Sequence, residues 1–304
     1  MANLLLGSVS LTIAEIFSMN DNVIMKIRLE EALIAVAAGI ALSIGGLFMQ
    51  SLFRNPLAGP SVLGISSGAS LGVAVAIMSV GSISSLMLPV YAIVGALIFL
   101  FVLLAISTKI RQNVTLLIIG LLLGYGISAL ISLLEYFSAA ESLKRYVIWG
   151  MGSFFPNFEG MSAGIVLLSL PAIFFSFFMV KYLDAFLLGE EAAQSLGVNA
   201  KRMRTVIILI TGWLTGVVTA YCGPIAFIGL MVPHLARFLF KTASHKQLIY
   251  GVTLIGAALA LLANVIAKLP FMVERIPVNI ITSVLGIPVI IWIILDQRKA
   301  HLAR

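Results

Sequence analysis

Residues 50–72 read QSLFRNPLAGPSVLGISSGASLG, and the order of their parts narrows what the chain can fold into. Pro56 and Pro60 stop whatever helix precedes them, because proline has no amide hydrogen to donate and its ring clashes with the previous turn. A run of small residues follows: Gly64, Ser66, Ser67, Gly68, Ala69, Ser70 and Gly72. In water such a run would mark a loop. Between apolar stretches of bilayer length it has two other readings, a seam where helix backbones approach closely or a wet path lined by hydroxyls and carbonyls.

Composition leaves only that membrane setting. Of the 304 residues 61% are hydrophobic and 10% charged, against about 45–50% and about 25% in soluble domains. A water-soluble globule is excluded, and so is disorder, since unfolded segments are poor in apolar residues. The net charge of +7 would suggest nucleic acid only if the basic residues shared a soluble face, and here they sit between apolar runs. Cys222 is the single cysteine, so neither an internal disulfide nor a Cys-based zinc site can form.

A helix needs about 20 mostly apolar residues to cross a ~30 Å hydrocarbon core. Such runs lie at 32–53, 62–80, 86–107, 114–136, 161–180, 206–222, 247–267 and 278–295. Residues 225–240 contain Pro233, His234 and Arg237 and read as a short or broken helix buried against protein rather than lipid. The expected fold is all-α: a polytopic membrane helix bundle of about nine spans, forming a single transmembrane domain over 1–304. Assigning loops to alternating sides puts thirteen basic residues on one side (Arg54, Lys109, Arg111, Lys181, Lys201, Arg202, Arg204, Arg237, Lys241, Lys246, Arg298, Lys299, Arg304) and six on the other (Lys26, Arg28, Lys144, Arg145, Lys268, Arg275). Cytoplasmic loops carry the excess, so the C-terminus and the 181–205 loop are expected inside. Residues 1–7 are too short to span, no signal peptide is visible, and Lys26 and Arg28 fall outside. A leading helix is therefore expected to be missing.

Three spans carry a small or polar stripe. Gly120, Gly124, Ser128 and Ser132 recur every four residues; Asn279, Thr282, Ser283 and Gly286 follow i, i+3, i+4, i+7; Gly39, Ser43, Gly46 and Gln50 do likewise. Each is either a packing seam or one wall of a conduit. In the 181–205 loop, Asp184, Glu190 and Glu191 precede a break at Gly197 and then Lys201, Arg202 and Arg204. Residues 189–196 suit a short helix with Ala192, Ala193 and Leu196 on one side, and Asn199 can cap the next helix, which gives an amphipathic hairpin. No Gly-Lys dipeptide occurs, so the chain has no phosphate loop. ISSGA at 65–69 lies in an apolar helix without a general base, and His234 has no second ligand at metal spacing, so neither a catalytic residue nor a metal site is expected. The alternative of an ion-coupled secondary transporter calls for an acid or base near the centre of a span, and none is found.

The segment RNPLAGPSVLGISSGASLG at 54–72 resembles the signature of the FecCD family, permeases of ABC importers for iron chelates, haem and cobalamin. GEEAAQSLGVNAKRMR at 189–204, GPIAFIGLMVPHLAR at 223–237 and ITSVLGIPVIIWIIL at 281–295 match further motifs in order. The resemblance implies a non-enzymatic permease subunit of the type II importer kind in the bacterial cytoplasmic (inner) membrane. Two copies would form the pore for a siderophore, haem or cobalamin. Two separate ATPase subunits would hold ATP and Mg, this chain binding no cofactor, and a periplasmic or lipid-anchored solute-binding protein would deliver cargo.

It also implies residue roles. Gly189, Glu190, Glu191, Ala193, Leu196 and Gly197 would form the helix that seats in the ATPase. The fourth and last spans would line the path through Gly120, Gly124, Ser128, Ser132, Asn279, Thr282, Ser283 and Gly286. Arg28 and, with altered identity, Lys268 would meet acidic residues of the binding protein. The chain departs from the family where IRLPR stands as Ile27, Arg28, Leu29, Glu30, Glu31, which reverses a charge and is expected to re-key that docking through Glu31. Late in the chain, Ala263, Asn264, Ala267 and Lys268 replace an AD-x-x-AR pattern. The family's first helix, which precedes the segment reading LLLGSVSLTIAEIF here, is expected to be absent.

Overall fold

Proline and glycine set most of the element boundaries. The computed structural model describes Asn3 and residues 23–302 apart from 81, 82, 111, 196 and 269–274. Its helices are α1 (Val23–Phe53), a 3-10 turn (Pro60–Leu63), α2 (Ile65–Val75) continuing into a π turn (Ala76–Val80), α3 (Leu88–Ser107), α4 (Asn113–Phe137), α5 (Ala140–Gly150), α6 (Met161–Phe178), α7 (Val180–Leu187), α8 (Glu190–Ser195), α9 (Ala200–Cys222), α10 (Ile228–Phe240), α11 (His245–Ala267) and α12 (Val278–Leu302). No strand occurs among the described residues. The question of a leading helix falls on residues outside the described ones.

Among the described residues six helices are long and apolar enough to cross a membrane: Lys26–Phe53, Leu88–Ser107, Val114–Phe137, Met161–Phe178, Ala200–Cys222 and His245–Ala267, with shorter apolar helices at Ile65–Ser79, Ile228–Phe240 and Val278–Trp292. All nine expected segments are thus helical, with shifted ends. The span expected at 62–80 is shortened because Pro60 opens a 3-10 turn and Gly64, at φ +77°, reverses the backbone before α2 starts.

In lipid, apolar side chains gain little by leaving one hydrocarbon for another, so association rests on close backbone packing. α1 is the post around which this happens: 78% of its most apolar stretch is buried, against 22% for α4. It crosses α11 where a Cβ on Gly39 would lie 2.3 Å from the carbonyl oxygen of Gly256, and one on Gly256 only 2.2 Å from Ser43 Oγ. It meets α10 at Gly46, where a Cβ would lie 1.6 Å from the Gly229 carbonyl oxygen. That is the carbonyl which Pro233, lacking an amide hydrogen, cannot bond within its helix. α2 and α3 cross in the same manner, Gly72 against the Tyr91 carbonyl and Gly95 against that of Gly68. The first-span stripe is therefore a packing seam, and Gly64, Gly68 and Gly72 in the 64–72 run also face close neighbours.

Polar contacts sort the loops to two ends, as the alternation of spans requires. At one end Lys26 pairs with Glu159 at 2.5 Å, and the Gly160 amide donates to Glu30 Oε1 at 3.4 Å. At the other, Arg204 donates to the Ile110 carbonyl at 2.8 Å, and His234 Nε2 lies 2.7 Å from the Pro56 carbonyl oxygen.

Because backbone oxygens cannot yield as a flexible side chain can, Gly39→Ala and Gly256→Ala should each cost the upper part of the about 1–3 kcal/mol typical of overpacking. A lowered thermal unfolding midpoint in detergent would report this. Gly150→Ala, where no atom lies within 4 Å of the added Cβ, should leave it unchanged.

Candidate translocation path and coupling hairpin

The stripe on α4 divides in two. Gly120 and Gly124 pack: a Cβ would lie 3.2 Å from Leu63 backbone at the first and 3.5 Å from Ser67 Oγ at the second. One turn further, Ser128 and Ser132 are exposed on the isolated chain and line a cavity of about 310 Å³ with Ser66, Ser67 and Ser70 of α2. Glu135 and Tyr146 complete its wall. Ser128 Oγ donates to the Gly124 carbonyl at 3.0 Å, and Thr219 Oγ1 reaches Ser66 Oγ at 3.4 Å. Burial, reinforced by the charge of Glu135, pushes the Tyr146 phenol up to about 12 against the pull of a hydrogen bond with Ser70. It stays a neutral hydroxyl at neutral pH. The stripe read from sequence ends at Ser132, but a 3.6-residue period continues it to Glu135, which the four-residue count passes over. Tyr146 stands on another helix, and no spacing announces it.

The stripe on α12 seats against the junction of α9 and α10. Asn279 Oδ1 accepts from the Ala226 amide at 3.1 Å, while Thr282 Oγ1 and Ser283 Oγ donate to the Asn279 carbonyl at 3.2 and 2.6 Å. A Cβ on Gly286 would lie 2.5 Å from that of Phe227. The junction is bent by Gly223 at φ +73° and by Phe227 at φ +67°. The second is costly for a residue with a side chain. The Ile228 amide donates to the Ala226 carbonyl at 2.9 Å, closing a three-residue turn around Phe227.

The expected hairpin forms. α8 ends in a Schellman motif: Gly197, at φ +82°, donates to the Gln194 carbonyl at 2.9 Å and Val198 to that of Ala193 at 3.0 Å. Asn199 accepts from the Arg202 amide at 3.0 Å and caps α9. Gly189, at φ +104°, makes the turn that begins α8, and the Ala193 amide donates to its carbonyl at 2.9 Å. Glu190 and Glu191 lie in α8, and Leu196 falls outside the described residues. Ala193 is fully buried, so it anchors the hairpin to its own chain, while Gln194 and Gly197 are exposed.

Arg28, Glu31 and Lys268, expected on an external rim, are buried, with 5%, 2% and 7% of their surface exposed. Glu31 Oε2 lies 2.8 Å from Lys268 Nζ and Oε1 lies 2.7 Å from Arg275, whose guanidinium sits over the Phe155 ring at 4.2 Å. Lys268 also donates to Asn3 Oδ1 at 3.3 Å. Within the chain the Glu31 carboxylate is thus neutralised by two cations rather than standing as an open rim charge. Burial, with Arg275 and Arg28 adding, holds the Lys268 ammonium below its ordinary range against the opposing pull of Glu31.

Apolar helices gathered on a central post, a hydroxyl-lined cavity, a broken helix and a hairpin at one end are the build of a polytopic membrane permease. The chain belongs to the FecCD transport family, whose model matches residues 1–296. It is 35% identical over 277 residues to the vitamin B12 import system permease protein BtuC of Escherichia coli O9:H4 (strain HS), covering 91% of this chain and 84% of that relative. To the same protein of Escherichia coli O139:H28 it is 36% identical over an equal length and the same coverage. A solved transporter assigned to the metal-chelate ABC type, in an inward-facing conformation, superposes with a TM-score of 0.87 at 29% identity, over 97% of this chain and 94% of that one. PsaBC from Streptococcus pneumoniae, solved with a Fab, shares the fold at a TM-score of 0.61 and 16% identity, over 91% and 95%.

Glu31→Gln leaves two cations without their buried counter-charge, which should cost about 3–5 kcal/mol. Replacing Glu31 and Lys268 together by Leu and Met should recover most of it. Lys26→Ala breaks a pair whose side chains are 65% and 80% exposed, which solvent screens, and should leave the unfolding midpoint almost unchanged. Denaturant titration of the purified protein in detergent measures all three.

Proposed function

We propose that the chain is the permease subunit of an ATP-driven importer for a metal chelate, with an iron siderophore, haem or cobalamin as candidate cargo, and that two copies enclose the path. The observation that carries this is the state of α4. Only 22% of its most apolar stretch is buried, yet the surface it leaves open includes Ser128 and Ser132 and the mouth of a serine-lined cavity. Hydroxyls and a carboxylate turned toward lipid are costly, so a second copy and a watery path between the two copies account for that face. Membership of the FecCD family and the likeness to the vitamin B12 import permeases support the direction of transport and the class of cargo.

Energy comes from outside this chain. It contains no phosphate loop, so ATP and Mg would be held by two partner ATPase subunits, docked on the exposed side of the hairpin formed by α8 and the start of α9. The excess of basic residues on its side supports a cytoplasmic position for that hairpin and the C-terminus. An external solute-binding protein would deliver the chelate to the end that carries Lys268 and Arg275. Their pairing with Glu31 leaves Arg275 half-exposed and the others buried.

Gln194→Arg changes an exposed residue of α8 without touching the buried Ala193. It should release the ATPase on detergent purification and lower uptake of labelled cobalamin or ferric siderophore by tenfold or more, while the permease stays inserted. Unchanged co-purification and uptake would sink the docking assignment. Uptake that survives deletion of the ATPase but collapses with a protonophore would point to ion-coupled transport instead.

A further inference from the structure

We propose that Asp184, His245 and Ser51 form a hydrogen-bonded relay that fixes α7, the helix leading into the hairpin, to the cytoplasmic ends of α11 and α1, so that displacement of the hairpin is passed on to the helices of the path. The inference rests on the reading of the hairpin as the ATPase docking surface. Asp184 Oδ1 lies 2.7 Å from His245 Nδ1 and accepts from the His245 backbone amide at 2.9 Å; His245 Nε2 lies 2.6 Å from Ser51 Oγ. His245 and Ser51 are 0% and 1% exposed.

The order of atoms, carboxylate to imidazole to hydroxyl, is that of a hydrolase triad. A nucleophile must be reached by its substrate, and Ser51 is sealed in the core with its hydroxyl also 2.8 Å from the Leu47 carbonyl. The bonds therefore serve to hold position. Asp184 supplies the cap that α11 otherwise lacks, since Ser244 at the N-cap position makes no side-chain capping bond. A carboxylate at a helix N-terminus is favoured by the dipole as well. His245 Nδ1–H donates to Asp184, and the single Ser51 hydroxyl proton is shared between the Leu47 carbonyl and His245 Nε2, so one imidazole joins three elements.

The connection continues past Ser51. Its neighbour Gln50 donates to the Leu230 carbonyl at 3.0 Å and accepts from Arg237 at 2.5 Å, so the last turn of α1 is gripped by α11 on one side and by α10 on the other. α10 begins at Phe227, which bears on Gly286 of α12. Buried polar groups have no water to exchange partners with, so a shift of α7 must carry α1 with it or break bonds at a cost. Asp184, His245 and Ser51 are positioning residues, none of them part of the path.

The test uses the permease reconstituted in proteoliposomes with its ATPase and loaded binding protein. Asp184→Ala and Ser51→Ala should leave the ATPase bound and its hydrolysis rate within twofold, while substrate moved per ATP falls tenfold or more. The binding-protein concentration giving half-maximal transport should not change. Asp184→Asn, which keeps an acceptor oxygen, and Ser51→Thr, which keeps the hydroxyl, should restore the ratio. A bound ATPase with an unchanged ratio in the alanine variants overturns the relay alone, as does failure of both conservative variants to rescue. Absence of ATPase from the unsubstituted permease would overturn the coupling reading and the relay with it.

Discussion

Everything else in the structure depends on the approach of α1 to its neighbours through bare backbone. A soluble protein of this size could hold its central helix by burying leucines. In hydrocarbon that gain is nearly absent, and what remains is contact at short range, which falls off within an ångström. Gly39 and Gly46 bring α1 within reach of backbone oxygens on α11 and α10. Once those crossings are set, the last turn of α1 can meet His245 and Arg237, and its opposite end can bring Glu31 to Lys268.

The two ends of this post differ in chemistry. At the end away from the hairpin, Glu31 gathers cations into a buried knot that also joins the base of α11 to the approach of α12. At the hairpin end the contacts are hydrogen bonds, and they tie the short segments α7 and α10 to the ends of α11 and α1. Longer spans such as α4 and α6 stay largely open to their surroundings, with 22% and 28% of their apolar stretches buried. Rigid middle and linked end together suit a subunit that must yield to an outside force without losing its frame.

Much of this was legible in the order of residues. Span positions followed from apolar length, the short α10 from Pro233 among polar residues, and the hairpin from Gly189, Gly197 and the Asn199 cap, because each is a local effect. What the sequence hid is long-range. Glu31 looked like a rim charge until the fold brought Lys268 and Arg275 to it across more than two hundred residues. Ala193 looked like a contact for a partner, yet a six-residue helix has to spend an apolar side chain on its own anchorage. The stripes on the first, fourth and last spans were alike in pattern. Only neighbours distinguish the seam at Gly46, the cavity at Ser132 and the seat of Gly286 on Phe227.

Phe227 has a bearing on the order in which the chain can finish folding. Its left-handed backbone is unfavourable by itself, and the groups that hold its neighbourhood, Asn279 and Gly286, belong to the last helix of the chain. During synthesis α9 and α10 leave the ribosome well before those groups exist. The bend between them can settle only when the C-terminal helix arrives, so the part of the bundle that faces the hairpin half of α1 is completed last. A chain stopped short of residue 278 would carry every motif of the broken helix and still lack what fixes its shape.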